Sequence, residues 1–170
     1  MANTYTLIAS STVGSGGAAY IEFTSIPASY TDLLVLLSLR TENTGSGDTV
    51  RVQFNGSSSN FTVKELSGDG STAGSSSRTD GYVGYMNADA STASTFSNIS
   101  LYIPNYTSSN YKSYSVDKVS EQNGTTAYAE LIAGLWSQTA AITSLKFISA
   151  GVSIDLAQYS TAYLYGINNS

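Results

Sequence analysis

The sequence predicts an all-β fold: an antiparallel two-sheet sandwich, jelly-roll-like, of about ten strands. Three observations carry this. Short apolar alternations recur between Gly, Asn, Ser and Pro turn signals roughly every ten residues. No stretch long enough for a helix shows a convincing 3.6-residue apolar stripe. Leu33, Leu34, Val35, Leu36, Leu37 and Leu39 form a short, nearly continuous apolar run, as expected of a strand covered on both sides. That run is taken as the central strand of one domain spanning residues 1–170. No internal repeat is evident, which argues against a propeller or solenoid.

Taken in order, Tyr5 to Val13 reads as the first strand. Gly14-Ser15-Gly16-Gly17 reads as a hairpin loop into Tyr20 to Thr24. No Lys-Ser/Thr and no helix pattern follow, so this glycine cluster is a turn rather than a phosphate cradle. In the second strand Ile21 and Phe23 oppose Glu22. Pro27 keeps the corner before Leu33 out of helix. Val50, Val52 and Phe54 alternate with Arg51 and Gln53. Asn55-Gly56 then predicts a hairpin whose return arm is Asn60 to Leu66, with Phe61, Val63 and Glu65 on one face.

Ser67 to Asp80 is almost all Gly, Ser, Thr and Asp, and is read as a long exposed loop. Its Asp69-Gly70-Ser71 lacks the carboxylate spacing of a calcium loop. Gly81 to Met86 is a short tyrosine-bearing strand. Phe96 to Ile103 alternates, with Ile99, Leu101 and Ile103 inward. Tyr111 to Glu121 and Ala127 to Trp136 flank an Asn123-Gly124 turn. In the second of these, Ala129, Leu131, Ala133 and Leu135 oppose Tyr128, Glu130, Ile132 and Trp136. This segment is rich enough in Ala and Leu for a helix, but the turn before it favours a strand. Ile142 to Ser149 follows, Gly151 to Tyr159 extends it or folds back, and Thr161 to Ile167 closes the chain.

Composition narrows the chemistry. The sequence contains neither cysteine nor histidine, which removes disulfides, thiolate catalysis, the commonest general base and the commonest zinc ligand. Charged residues make up 11%, and the net charge of −5 argues against nucleic acid and anionic membranes as partners. The longest apolar run is far short of a membrane span, and Met1-Ala2-Asn3-Thr4 lacks the start of a signal peptide. Synthesis in a cytoplasm is expected.

Three passages resemble virion structural proteins of tailed bacteriophages: Tyr5-Thr6-Leu7-Ile8-Ala9 with Val13-Gly14, Ile21 through Leu33, and Tyr163-Leu164-Tyr165-Gly166-Ile167. Similar patterns occur in small jelly-roll proteins that serve as capsid decoration or cement proteins, or as tail and fibre components. The resemblance spans both ends of the chain and is looser in the middle. It implies a non-enzymatic virion protein on the capsid exterior, a homo-oligomer with a trimer favoured, bridging subunits of the major capsid protein or contacting other virion proteins. It carries over no catalytic residue, metal or cofactor.

The residues agree with a role in holding neighbours together: few charges, many hydroxyls and many tyrosines. The candidate contact residues are Tyr82, Tyr85, Tyr102, Trp136, Tyr163 and Tyr165, together with the Ser67 to Asp80 loop. Trp136 and the tyrosines also suit a sugar-stacking platform, so a carbohydrate- or receptor-binding module of a tail fibre or spike is the alternative. A carboxylate hydrolase would need two of the strand acids Glu22, Glu65, Glu121 and Glu130 to converge.

Overall fold

The structure is a computed structural model, described over residues 4–124, 127–151 and 153–168. The reading of residues 1–3 as no signal peptide therefore lies outside the described residues. Every regular element among the described residues is a strand. They are β1 (Tyr5–Thr12), β2 (Tyr20–Phe23), β3 (Asp32–Leu39), β4 (Gly47–Phe54), β5 (Phe61–Gly68) and β6 (Ala73–Arg78). Then come β7 (Tyr82–Asn87), β8 (Ser97–Ile103), β9 (Lys112–Val119), β10 (Ala129–Trp136), β11 (Leu145–Ser149) and β12 (Thr161–Ile167). Eight strands form one sheet, in the order β1-β12-β3-β8-β9-β10-β5-β6; four form the other, β2-β11-β4-β7. All the pairings are antiparallel.

The pairing is nested. Set aside β5, β6, β9 and β10. Then β1 pairs with β12, β2 with β11, β3 with β8, and β4 with β7. First meets last, second meets second-last, and so inward: a two-stranded ribbon wrapped into two facing sheets, which is a jelly roll. The hairpins β5–β6 and β9–β10 are insertions, and both widen the sheet that contains β8.

Alternation fixes which face looks inward. Leu33, Val35, Leu37 and Leu39 of β3 are buried beside Ile99, Leu101 and Ile103 of β8 and Ala162 and Leu164 of β12. Val50, Val52 and Phe54 of β4, with Leu145 and Phe147 of β11, face them from the smaller sheet. The Leu-rich strand is thus interior to its sheet but covered on one side. Leu36 is 38% exposed, so the expectation of cover on both faces is corrected.

Three further expectations change. Asn55-Gly56 does make a tight turn, with φ of 53° and 74° and Ser57 N donating to Phe54 O. Its arms do not pair, however: β4 belongs to the four-stranded sheet and β5 to the eight-stranded one, so the turn is a corner between sheets. Asn55 holds that corner by accepting from the Thr143 and Ser144 backbone N–H groups and donating to Ala141 O. The Gly14–Gly17 loop likewise joins strands of different sheets. Ser67 to Asp80 contains an edge strand, β6, paired along its length with β5. The turn between them is closed by the Asp69 carboxylate, which accepts from Ser71 N and Thr72 N. Those bonds hold the Asp69 carboxyl below the usual carboxylate range.

The second Asn-Gly signal is followed by a true hairpin: β9 and β10 pair along their whole length. Residues 125 and 126 of the connection, and 152 of the 151–159 segment, lie outside the described residues. The described residues of that segment neither extend β11 nor fold back on it: Leu156 bridges to Ala18 and Thr41.

Candidate functional site

The outer face of the eight-stranded sheet is the broadest feature. In an antiparallel sheet, residues directly opposite share a face. One row across it reads Leu7, Tyr165, Leu34, Tyr102, over β1, β12, β3 and β8. The next reads Ser10, Tyr163, Leu36, Ser100. Leu7 is 51% exposed and Tyr163 40%. Tyr102 donates its hydroxyl to Asp32 Oδ2 at 2.7 Å. That bond first, then burial, pushes its pKa up to about 12.

A second patch lies over the inserted hairpins. Leu131 of β10 sits directly opposite Leu66 of β5, and the two are 61% and 63% exposed. Ala129, Ala133, Leu135 and Val119 surround them on the same face. Leu66, Leu131, Ala133, Ser115 and the serines of β6 line a shallow groove of about 620 Å³. Ser100, Ser115 and Asp117 form a polar seam between the two patches. Away from the Asp32 corner, the charged side chains of this face are Lys64 and Asp117.

The six sequence-predicted contact residues divide. Tyr102, Tyr163 and Tyr165 lie together on this outer face. Tyr82 and Trp136 do not reach the surface, at 1% and 3% exposed, and the expectation that they present a contact face is corrected. Trp136 packs edge-on to Phe54 at 5.5 Å and stacks on Phe61, with Tyr114 completing the cluster. Tyr114 lies over Gly134, where a Cβ would fall 1.9 Å from its ring. Tyr85 is half-buried against Tyr128. Sequence reasoning missed Leu7, Leu36, Leu66 and Leu131 as surface residues because alternation alone does not say which face is covered.

Beneath the second patch the inner face is charged. Lys118 of β9 and Glu130 of β10 stand directly opposite, Nζ to Oε2 3.1 Å, at 0% and 3% side-chain exposure. Glu130 also accepts from the Tyr82 hydroxyl (3.1 Å) and the Tyr85 N–H (3.1 Å). Lys118 donates to Ser120 Oγ. Burial lowers the Lys118 pKa, and burial, then the Glu130 charge, raises that of Tyr82. Next to this pair, Glu65 takes Ser76 Oγ (2.8 Å) and Arg78, whose guanidinium lies 3.9 Å above the Tyr82 ring. Glu22 pairs with Lys146, and Glu121 accepts from Asn123 N.

Of the four strand acids, Glu65 and Glu130 come closest to converging, and both are bound up in structural bonds. Among the described residues no three His, Cys, Asp or Glu side chains are placed to hold a metal ion. No helix of the described chain is long and apolar enough to cross a membrane.

Fold and surface together define a jelly-roll β-sandwich widened on one side into a broad, weakly charged sheet face. No protein-family model, curated protein or solved structure matches the chain.

Proposed function

We propose that this chain is a non-enzymatic structural protein of a tailed-phage virion, a capsid decoration or cement protein. It sits on the capsid exterior as a homo-oligomer, a trimer favoured, and bridges subunits of the major capsid protein. The observation that carries this reading is the outer face of the eight-stranded sheet. Eight strands about 4.8 Å apart and roughly seven residues long give a face of about 900 Å². That matches the ~800 Å² each partner buries in a standard stable interface. Two patches of apolar and tyrosine side chains lie on it, separated by a polar seam, and its few charges limit the desolvation cost of docking. Repeated around a particle, modest contacts of this kind add up through avidity.

Two further observations agree. The chain has no histidine or cysteine, and among the described residues the buried carboxylates are engaged: Glu65 by Arg78 and Ser76, Glu130 by Lys118 and Tyr82, and Asp32 by the Tyr102 hydroxyl and the Asn105 N–H. Trp136, the best candidate for a sugar-stacking ring, is inside the aromatic cluster, which weighs against the fibre-type module built on it.

The test is direct. Purified virions of the source phage are expected to contain the chain in many copies by mass spectrometry, and cryo-electron microscopy is expected to place it on the capsid exterior. Mature particles that lack it overturn the proposal.

A further inference from the structure

We infer that a second surface, the groove beside Tyr159, is a binding site for a neutral saccharide. The groove has a volume of about 470 Å³, in the usual range of small-molecule sites, and Arg40, Glu42, Asp89, Phe96, Gln158 and Tyr159 form its main lining. It lies in the loops that join the two sheets, away from the outer sheet face, and does not depend on the virion reading.

Tyr159 is the unusual residue. It occupies the third position of the turn closed by Ser160 N donating to Ala157 O at 3.1 Å, and its φ is 71°. With φ positive, that position is normally Gly or Asn, since a bulky side chain is strained there. The turn is held by Tyr159 N donating to Val13 O and Ala157 N donating to Arg40 O. Yet the ring those bonds position packs on little: Tyr159 is 68% exposed, the highest of the large apolar residues among those described. A strained backbone that holds an aromatic face in solvent is explained if the ring meets a ligand.

The groups around it select the ligand. Glu42 and Asp89 are exposed carboxylates, and Gln158 adds an amide. Planar polar groups of this kind pair with vicinal hydroxyls, while a tyrosine ring covers the C–H face of a pyranose. The groove's cation is already used. Arg40 donates to Thr92 O (3.1 Å), Thr95 O (3.0 Å) and Ser91 O (3.3 Å), tying the 89–95 loop down as one wall. The remaining charge is negative, which disfavours sialylated, uronic or sulfated sugars and favours uncharged ones.

The experiment is a glycan array carrying neutral, sialylated and sulfated glycans, probed with the full chain displayed on streptavidin beads for avidity. Binding to a subset of the neutral glycans is expected. Tyr159→Asn should reduce it at least tenfold without lowering the thermal midpoint, because Asn tolerates the positive φ. Glu42→Gln with Asp89→Asn should weaken it by a similar factor. Tyr111→Ala, an exposed tyrosine beyond the opposite end of β8 from the groove, should leave it unchanged. Absence of any binder, or binders confined to charged glycans, overturns the inference. So does binding that survives Tyr159→Asn, or binding abolished by Tyr111→Ala.

Discussion

The part of the large sheet that the jelly roll supplies and the part that the inserted hairpins add bury different things. Under β3, β8 and β12 the inner face is aliphatic: Leu33, Val35, Leu37, Ile99, Leu101, Leu164. It meets Val50, Val52 and Phe147 across the sandwich and needs no polar partners. Under β9, β10 and β5 the opposing sheet has reached its edge strand, β7, which packs there with Phe54 from the end of β4. The hairpins fill their inner face with large rings (Tyr114, Trp136, Phe61), set against Tyr82 of β7, and with the Lys118–Glu130 and Arg78–Glu65 pairs. A sheet wider than its partner thus fills the uncovered width with rings and satisfied charges instead of a second layer.

The widest gap between the two regions should appear when one member of the buried pair is removed. Glu130→Ala leaves the Lys118 charge, the Tyr82 hydroxyl and the Tyr85 N–H without their shared acceptor. A loss of about 3–5 kcal/mol is expected in urea unfolding. Replacing both partners, Lys118→Met with Glu130→Leu, should restore the part due to the stranded charge, leaving the Tyr82 hydroxyl and the Tyr85 N–H without their acceptor. A double variant no more stable than the single would mean the pair itself, and not the stranded charge, stabilises the wing.

In the aliphatic half the penalty comes from a cavity. Leu101→Ala, fully buried, should cost about 2–5 kcal/mol. Leu131→Ala on the outer face, 61% exposed, should change the chain's own stability by no more than about 0.5 kcal/mol. If Leu131→Ala instead lowers stability in a concentration-dependent way, the outer face is covered in solution by another copy, consistent with the proposed oligomer.

Alkaline pH loads the ring-filled half most, with Tyr102 on β8 adding to it. Burial raises the pKa of Tyr82 and Tyr114 well above 10, so the folded state keeps protons that the unfolded state gives up. Their contribution is present in full below pH 10 and falls as pH rises past it, by about 1.4 kcal/mol per pH unit for each tyrosine still neutral. Lys118 acts oppositely: its lowered pKa makes stability rise with pH until the unfolded lysine also loses its proton, near pH 10.4. Stability is therefore expected to peak near pH 10 and drop steeply above it. Tyr114→Phe should make that drop shallower, as read from urea midpoints between pH 8 and 12.

How much of this was legible in the sequence follows the same division. Strands with one apolar face announced themselves: β8, β9, β10 and β12 lie within a residue or two of where alternation puts them, and Ile99, Leu101 and Ile103 do point inward. β6 did not, because Ala73 to Ser77 are exposed on both faces and carry no alternation to read. The charged pair was hidden by the habit of assigning charge to the outside. A signal was nonetheless there, since Lys118 and Glu130 lie equally far on either side of Gly124, so a hairpin centred on Gly124 sets them opposite each other. Tyr159 was not legible at all, since its strain lies in φ and nothing in Gln158-Tyr159-Ser160 reports a backbone angle.

The two Asn-Gly turns give the smallest and most local contrast. Both Asn55 and Asn123 have φ near 53°, so the signal is the same. After Asn123-Gly124 the strands stay paired as a hairpin; after Asn55-Gly56 they part into opposite sheets. The difference lies in what the asparagine side chain holds. Asn55 clamps the backbone of residues 141–144, whereas Asn123 uses its backbone N–H on the nearby Glu121 carboxylate. Asn55→Gly keeps the positive φ but removes the clamp, leaving two backbone N–H groups to find new acceptors, and should cost about 1–2 kcal/mol. Asn123→Gly loses no such bonds and should cost no more than about 0.5 kcal/mol. Equal losses in urea unfolding would mean that the backbone conformation alone, and not the side-chain clamp, makes the sheet-to-sheet corner.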